Sequence, residues 1–179
     1  MTNTVQTTRL RRATSADAGS LAELAARLFE DTFGPDNDPE DMRSYLAGSF
    51  SEEKQRGEIE DPAGAVFLAL GPADQTIIGY AAMRRGTRGD GVNGERPAEV
   101  NRIYADRAWH GRGVGVALMT ACVEQARAWG CDALWLAVWE RNPRAIAFYE
   151  KSGFRKVGRQ TFLLGHDVQH DDVMEQSLP

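Results

Sequence analysis

"RAWHGRGVGVALM", residues 107–119, places three glycines at alternate positions, Gly111, Gly113 and Gly115, directly ahead of an apolar run. A glycine inside a helix or strand costs roughly 0.5–1 kcal/mol relative to alanine. The spacing therefore marks a place where bare backbone is needed. Two readings compete: a tight strand-to-helix turn, or a cradle whose amides receive an anion. The apolar run reads as a helix over about 114–129, with Val114, Ala117, Leu118, Ala121 and Ala128 on its buried side. Its first turn would offer unpaired N–H groups and the positive end of the helix dipole. Nucleotide loops fit poorly. A phosphate loop ends in Gly-Lys-Ser/Thr, whereas Gly113 is followed by Val114, and the next lysine is Lys151. The dinucleotide fingerprint lacks its third glycine, because Val116 stands there when counting starts at Gly111.

The chain around this loop has 179 residues, 42% hydrophobic and 26% charged, which suits one domain with a substantial core. A formal net charge of −5 argues against a nucleic-acid-binding surface. Cys122 and Cys131 have neither CxxC nor zinc-ligand spacing and read as reduced core thiols of a cytoplasmic protein. His166 and His170 have no partners at zinc-like spacing, so no metal site is expected. No apolar run reaches membrane-spanning length, and "MTNTVQTTRLRR" lacks the apolar core of a signal peptide.

Outward from the loop, strands are expected at 7–14, 64–70, 76–85 and 98–105. Segment 133–139, "ALWLAVW", is apolar on both faces and reads as an interior strand. Two more strands are expected at about 154–164 and 172–178. A helix over 15–33 begins at Ser15 or Asp17. The acidic stretch 34–61 reads as one or two short surface helices, opened by Asp38 or Pro39 and by Ser51. "GPADQ" (71–75) is a turn, and 87–96 a flexible hairpin loop or edge. The helix over 142–153 has Asn142 as cap, Pro143 in its first turn and Gly153 as left-handed terminator. The order is that of one mixed α/β layer structure.

The loop matches Arg/Gln-x-x-Gly-x-Gly/Ala on His110, Gly111, Arg112, Gly113, Val114 and Gly115, between a strand and a helix. It resembles the acyl-CoA loop of the GCN5-related N-acetyltransferase (GNAT) superfamily, with His110 departing from the usual arginine or glutamine. A second match lies downstream. "WERNPRAIAFYEKSGF" resembles the family's Asn-x-x-Ala-x-x-x-Tyr-x-x-x-Gly-Phe segment on Asn142, Ala145, Tyr149, Gly153 and Phe154. The resemblance implies an α/β single-domain GNAT fold over 1–179, with a mixed, mostly antiparallel central sheet and helices on both faces. Acceptor-side helices would occupy about 15–61 and the acetyl-CoA-binding core about 97–155. It implies acetyl-CoA as co-substrate and no metal. The pyrophosphate would sit on the loop from His110 to Val116, Arg112 adding charge. The pantetheine would meet Asn142 and the strand ending Ile103, Tyr104, Ala105, which splays from its neighbour in this family. Tyr149 would be the general acid toward the thiolate. Glu99, placed by period-two alternation on one face with Asn101 and Ile103, is the candidate base or substrate anchor.

Segment 29–62, "FEDTFGPDNDPEDMRSYLAGSFSEEKQRGEIEDP", and the C-terminal "GHDVQHDDVMEQSL" resemble the bacterial PaiA-like spermidine/spermine acetyltransferases. That likeness implies a small-molecule amine acceptor, with polyamines first. Eleven acidic residues of 30–61, from Glu30 to Asp61, against Arg43, Lys54 and Arg56 would wall and steer such a cation. Protein N-terminal or lysine acetylation stays open, as does a non-catalytic CoA-binding module. Family members are often dimers through the C-terminal strands, which leaves a homodimer open here.

Overall fold

Strands that are apolar on both faces are satisfied only inside a sheet covered on both sides. The computed structural model, which describes residues 8–72 and 76–179, puts them there. Seven strands, β1 (Arg9–Arg12), β2 (Gly64–Leu70), β3 (Ile77–Arg85), β4 (Pro97–Ala105), β5 (Ala133–Trp139), β6 (Arg155–Leu164) and β7 (Asp167–Ser177), form one sheet in the order β1-β2-β3-β4-β5-β7-β6. Only β4 and β5 are parallel; every other neighbouring pair is antiparallel. The mixed, mostly antiparallel α/β sheet expected from the sequence is therefore present. Thr7 of the expected first strand and residues 73–75 of the expected turn lie outside the described residues.

Helices cover both faces. On one side lie α1 (Ala18–Phe33), α2 (Pro39–Ser49) and α3 (Glu52–Glu60), packing Leu21, Leu28, Phe29, Met42 and Phe50 against Val66, Leu68 and Tyr80. On the other lie α4 (Val114–Ala128) and α5 (Pro143–Lys151), packing Val114, Leu118 and Cys122 against Ala65, Ala81, Leu134 and Leu136. Local signals set these ends. Asp38 Oδ1 caps α2 by accepting from Glu40 N–H (2.8 Å) and Asp41 N–H (3.1 Å). Ser51 Oγ accepts from Lys54 N–H at 3.3 Å. Gly153, at φ 92°, ends α5 as expected.

Four expectations need correction. A 3-10 turn over Ser15–Asp17 precedes α1, because the Asp17 carboxylate folds back onto Thr14 N–H (2.8 Å) and the Arg11 fork (2.7 and 2.8 Å). The short helices α2 and α3 are not merely superficial, since Met42, Phe50 and Gln55 are buried. Ala128 is exposed, and Met119 and Ala126 take its place on the covered side of α4. Finally, β7 begins at Asp167, five residues before the expected strand. Its first half, "DVQHDD", shows no apolar alternation, and pairing with β5 and β6 holds it extended.

The 87–96 segment is also held rather than loose. The buried Glu175 carboxylate accepts from Asn93 N–H (2.9 Å) and Gly94 N–H (2.8 Å), and Trp135 Nε1–H donates to the Thr87 carbonyl at 3.1 Å. Val92 packs on Trp135 and Val173. Glu175→Ala would leave those loop amides without their acceptor, at a cost of about 2–4 kcal/mol. We expect a Tm drop of about 5–12 °C, with faster amide exchange confined first to residues 86–96.

Candidate active site

β4 and β5 pair only through Pro97–Ala133, Ala98–Leu134 and Glu99–Trp135, and then part. A β-bulge makes the parting sharper. Val100 pairs with Met83 and Arg102 with Ala82, so Asn101 is an extra residue on β4. From Val100 to Ala105, the edge of β4 that faces β5 has no ladder partner among the described residues. A cavity of about 810 Å³ occupies the gap and reaches both faces of the sheet.

On the α4/α5 face the cavity meets the glycine loop. Gly111 and Gly113 have φ of 74° and 85°, a left-handed conformation that glycine adopts without strain, and no atom lies within 4 Å of an added Cβ at either. Gly113 is the N-cap of α4, and its carbonyl takes the Ala117 N–H at 2.9 Å. The amides of Val114, Gly115 and Val116 precede that first bond and point out of the helix end. A Cβ at Gly115 would rest in ordinary contact with the Phe148 ring of α5, at 3.4 Å. His110 has a structural role: its Nε2–H donates to the Ala105 carbonyl at 2.8 Å, tying the loop to the end of β4. Arg112 lies over the Trp109 ring at 5.1 Å. The loop is also fixed from α1, where Arg27 reaches Asp106 (2.9 Å) and Arg107 reaches the Asp31 carbonyl (2.9 Å).

Asn142 Oδ1 caps α5 through the Ala145 N–H at 3.1 Å. Tyr149 packs among Phe148 and Phe154, with centroids 5.4 and 6.0 Å away, and lines the cavity. Burial, with the Cys122 thiol nearby, raises its hydroxyl pKa, so the phenol keeps its proton at neutral pH. Ile103 and Ala105 pack toward α4, whereas the Tyr104 ring turns to α1, stacking on Tyr80 at 5.8 Å. All three line the cavity, as do His110, Gly111, Gly113, Val114, Gly115, Val116 and Asn142. Arg112 does not, since its guanidinium lies on Trp109.

Glu99 needs a correction. The bulge reverses side-chain parity, so Glu99 shares the α1–α3 face with Arg102 and Tyr104, not with Ile103. It still lines the cavity, and burial raises its carboxyl above the ordinary range, held back first by Thr87 and then by Arg84, Asn101 and Arg102. Arg102 itself pairs with Glu58 of α3 (2.7 Å) and lies over Phe50 at 5.1 Å.

The acidic wall expected from residues 30–61 is not the cavity wall: Asp31 alone of those acids lines it, paired with Arg27 at 3.4 Å. Instead the α1–α3 face holds Asp171, which "HDDV" gives no reason to single out. Asp171 pairs across the ladder with Trp139, lines the cavity and is 8% exposed. No hydrogen bond or ion pair reaches its carboxylate among the described residues. Burial, then Asp172 and Glu140, raise its pKa to about 6, with His170 acting the other way. Among the described residues, no cluster of three or more His, Cys, Asp or Glu is placed to hold a metal ion, and no helix is long and apolar enough to cross a membrane.

Residues 22–154 match the profile described as the acetyltransferase (GNAT) family. The chain is 33% identical over 162 residues to an uncharacterized N-acetyltransferase of Lactobacillus delbrueckii subsp. lactis, covering 90% of this chain and 92% of that protein. It is 32% identical to the aminoglycoside N(6')-acetyltransferase type 1 of Stenotrophomonas maltophilia, over 86% of this chain and 90% of that one. The crystal structure of PaiA N-acetyltransferase from Thermoplasma acidophilum in complex with coenzyme A superposes with a TM-score of 0.76 at 20% identity, covering 96% and 99% of the two chains.

A buried carboxylate without a partner weakens the fold once it ionises. Unfolded, Asp171 ionises near pH 4; folded, it ionises near 6. The cost therefore grows between those values and reaches about 3 kcal/mol at neutral pH, at about 1.4 kcal/mol per tenfold change in the protonation equilibrium. Asp171→Asn is expected to raise Tm by a few degrees at pH 7.5, the gain fading as pH falls through 6 toward 4; thermal unfolding across that range checks it.

Proposed function

The chain belongs to the acetyltransferase (GNAT) family and is an acetyl-CoA-dependent N-acetyltransferase; from that premise we propose that it acetylates a primary amine on a small cationic molecule, polyamines such as spermidine or spermine being the first acceptors to test. One observation carries the assignment of parts: a helix N-terminus opened by two left-handed glycines stands at the mouth of the β4/β5 gap, and Tyr149 lines the same cavity.

Acetyl-CoA supplies an activated acyl thioester. The amides of Val114, Gly115 and Val116 take its pyrophosphate, where the dipole and the absent Cβ atoms favour an anion. The unpaired edge of β4 around Ile103, Tyr104 and Ala105 offers backbone partners to the pantetheine. Asn142 contributes Nδ2–H, its Oδ1 being occupied by the cap. A backbone N–H of β4 polarises the thioester carbonyl, an arrangement worth about 3–4 kcal/mol in other oxyanion sites. The amine nitrogen bonds to the carbonyl carbon and the carbon–sulfur bond breaks. Tyr149 gives its proton to the departing sulfur, and Glu99 takes the ammonium proton directly or through water.

The acceptor's character follows from the other half of the cavity. With Asp31 paired to Arg27 and Arg102 to Glu58, Glu99 and Asp171 are the carboxylates there that favour a cation, and one relative is named for aminoglycosides. The α2 helix and the β6–β7 hairpin are joined beside it: His166 bonds Asp41 at 2.9 Å, and Gln169 Nε2–H donates to Asn37 Oδ1 at 2.5 Å. A polypeptide acceptor would have to part these contacts, which favours small molecules over protein N-termini or lysines. The free thiols of Cys122 and Cys131 suit a reducing cytosol.

Acetyl-CoA is expected to raise the melting temperature, with ATP and NAD giving no comparable shift. Tyr149→Phe should lower kcat by about 10²-fold or more while the KM for acetyl-CoA stays within about twofold. Equal loss of turnover and CoA affinity would make Tyr149 a packing residue. A thiol-release screen of polyamines, aminoglycosides and N-terminal peptides identifies the acceptor; silence across all of them favours the non-catalytic CoA-binding module.

A further inference from the structure

We propose that Asp171 is the subsite for a second, non-reacting ammonium group on the acceptor, set among the rings of Phe33, Tyr45, Trp139 and Phe162. The inference rests on the acetyltransferase reading and adds to it the acceptor class: a molecule with a positive charge held apart from the amine that reacts.

The carboxylate is built in rather than incidental. It is recessed in the cavity at 8% exposure, and no hydrogen bond or ion pair reaches it among the described residues. Nearby cations do not reach it: Arg159 pairs with Glu140, Lys156 with Asp172 (2.5 Å) and Arg102 with Glu58 (2.7 Å), while Arg141 lies over the Trp139 ring at 5.6 Å without bonding the carboxylate. A buried charge without a partner is unfavourable unless a ligand brings one. The surrounding rings fit that ligand. Phe33 meets Trp139 edge-on at 5.9 Å and Tyr45 meets Phe162 at 5.5 Å, and both pairs line the cavity. Aromatic faces and edges around a carboxylate accept an alkylammonium through cation–π contact and its methylenes through apolar contact.

Placement separates this group from Glu99 and from Tyr149. Leu134, Leu136 and Val138 of β5 face α4 and α5, so Trp135 and Trp139 face the other way, and Asp171 faces with its ladder partner Trp139. Tyr149 lies on the opposite face, packed with the α4/α5 core. Along the strands, Glu99 pairs with Trp135 and Asp171 with Trp139. Those positions are four residues apart, about 13 Å at roughly 3.3 Å per residue. An amine that attacks must be neutral, and a carboxylate holding it as ammonium would oppose that. Asp171 therefore suits a charge some distance from the reacting nitrogen, with Glu99 closer to the bulge.

The test compares a straight-chain α,ω-diamine with the amino alcohol of the same length, which keeps one amine and replaces the distal ammonium by a hydroxyl. In the unmodified protein the diamine is expected to have a kcat/KM at least about tenfold higher, expressed in KM, as a charged hydrogen bond supplies. In Asp171→Asn that ratio should fall to about twofold or less, through a raised KM for the diamine and with the fold intact by Tm. Equal turnover of both probes by the unmodified protein overturns the proposal. So does an Asn variant that loses both probes equally, which would put Asp171 at the reacting amine. The same probes are compared by Tm shift in the presence of CoA, a readout that needs no turnover. A diamine-specific shift lost in Asp171→Asn supports the subsite even if no amine is acetylated, an outcome that counts only against the catalytic reading. No difference in shift, with CoA itself bound, counts against the subsite.

Discussion

Everything functional in this fold depends on two parallel strands that pair for three residues and then separate. Leaving backbone N–H and C=O groups unpaired in the middle of a sheet costs free energy unless something holds the strands apart and a ligand or solvent takes up the bonds. Here the neighbours do the holding. β5 is paired along its whole length with β7, from Ala133–Ser177 to Trp139–Asp171, and cannot lean toward β4. β4 is held on its other side by β3, bent by the extra residue Asn101, and pinned to α3 through Arg102 and Glu58. His110 then ties the end of β4 to the glycine loop, so the gap and the helix N-terminus beside it form one unit. That continuity sets an open helix N-terminus, an unpaired strand edge and a phenol along one cavity.

Several departures from ideal structure lie along this gap. The left-handed backbone at Gly111 and Gly113, the bulge at Asn101 and the uncompensated carboxylate of Asp171 would each be an odd choice for stability alone. Away from the gap, Glu175 shows a buried acid that is well supplied, accepting two loop amides. The contrast separates a buried acid that builds the fold from a buried acid that waits for a ligand. Glu175 sits under a loop of its own chain that folds onto it; Asp171 faces open space between aromatic rings.

Which features are legible in the sequence, and which are hidden, is decided by the same physics. The loop from His110 to Val116 and the segment from Asn142 to Gly153 are legible because glycine conformation, helix capping and helix spacing are local properties. The interior strands are legible because apolar residues on both faces leave them few alternatives. Period-two counting puts Glu99 on the wrong face because a bulge is set by how two strands pair, and counting along one strand does not register it. Asp171 is hidden because "DVQHDD" looks like a solvated turn, and it becomes a strand only through β5 and β6 on either side. The splay is implied by family likeness alone; nothing in β4 or β5 taken singly announces it.

Charge shows the same division between composition and placement. The acids of 30–61 suggest a cation-binding wall, yet many of them are exposed, and others are committed to their neighbours: Glu52 to Arg56, Glu58 to Arg102, Asp61 to Arg84. Exposed carboxylates of this kind act on an approaching cation from a distance and are screened within about 8 Å at physiological salt. They raise an encounter rate without distinguishing one amine from another. Discrimination needs a charge that water does not reach, close to surfaces that fit the rest of the ligand. Of the cavity's carboxylates Glu99 and Asp171 come nearest that condition, Asp31 being exposed and paired with Arg27, and Asp171 is the more removed from solvent and from any protein partner. A strongly acidic surface and a cation-selective site are thus separable features of one molecule, and the second can be lost by a single isosteric change that leaves the first intact.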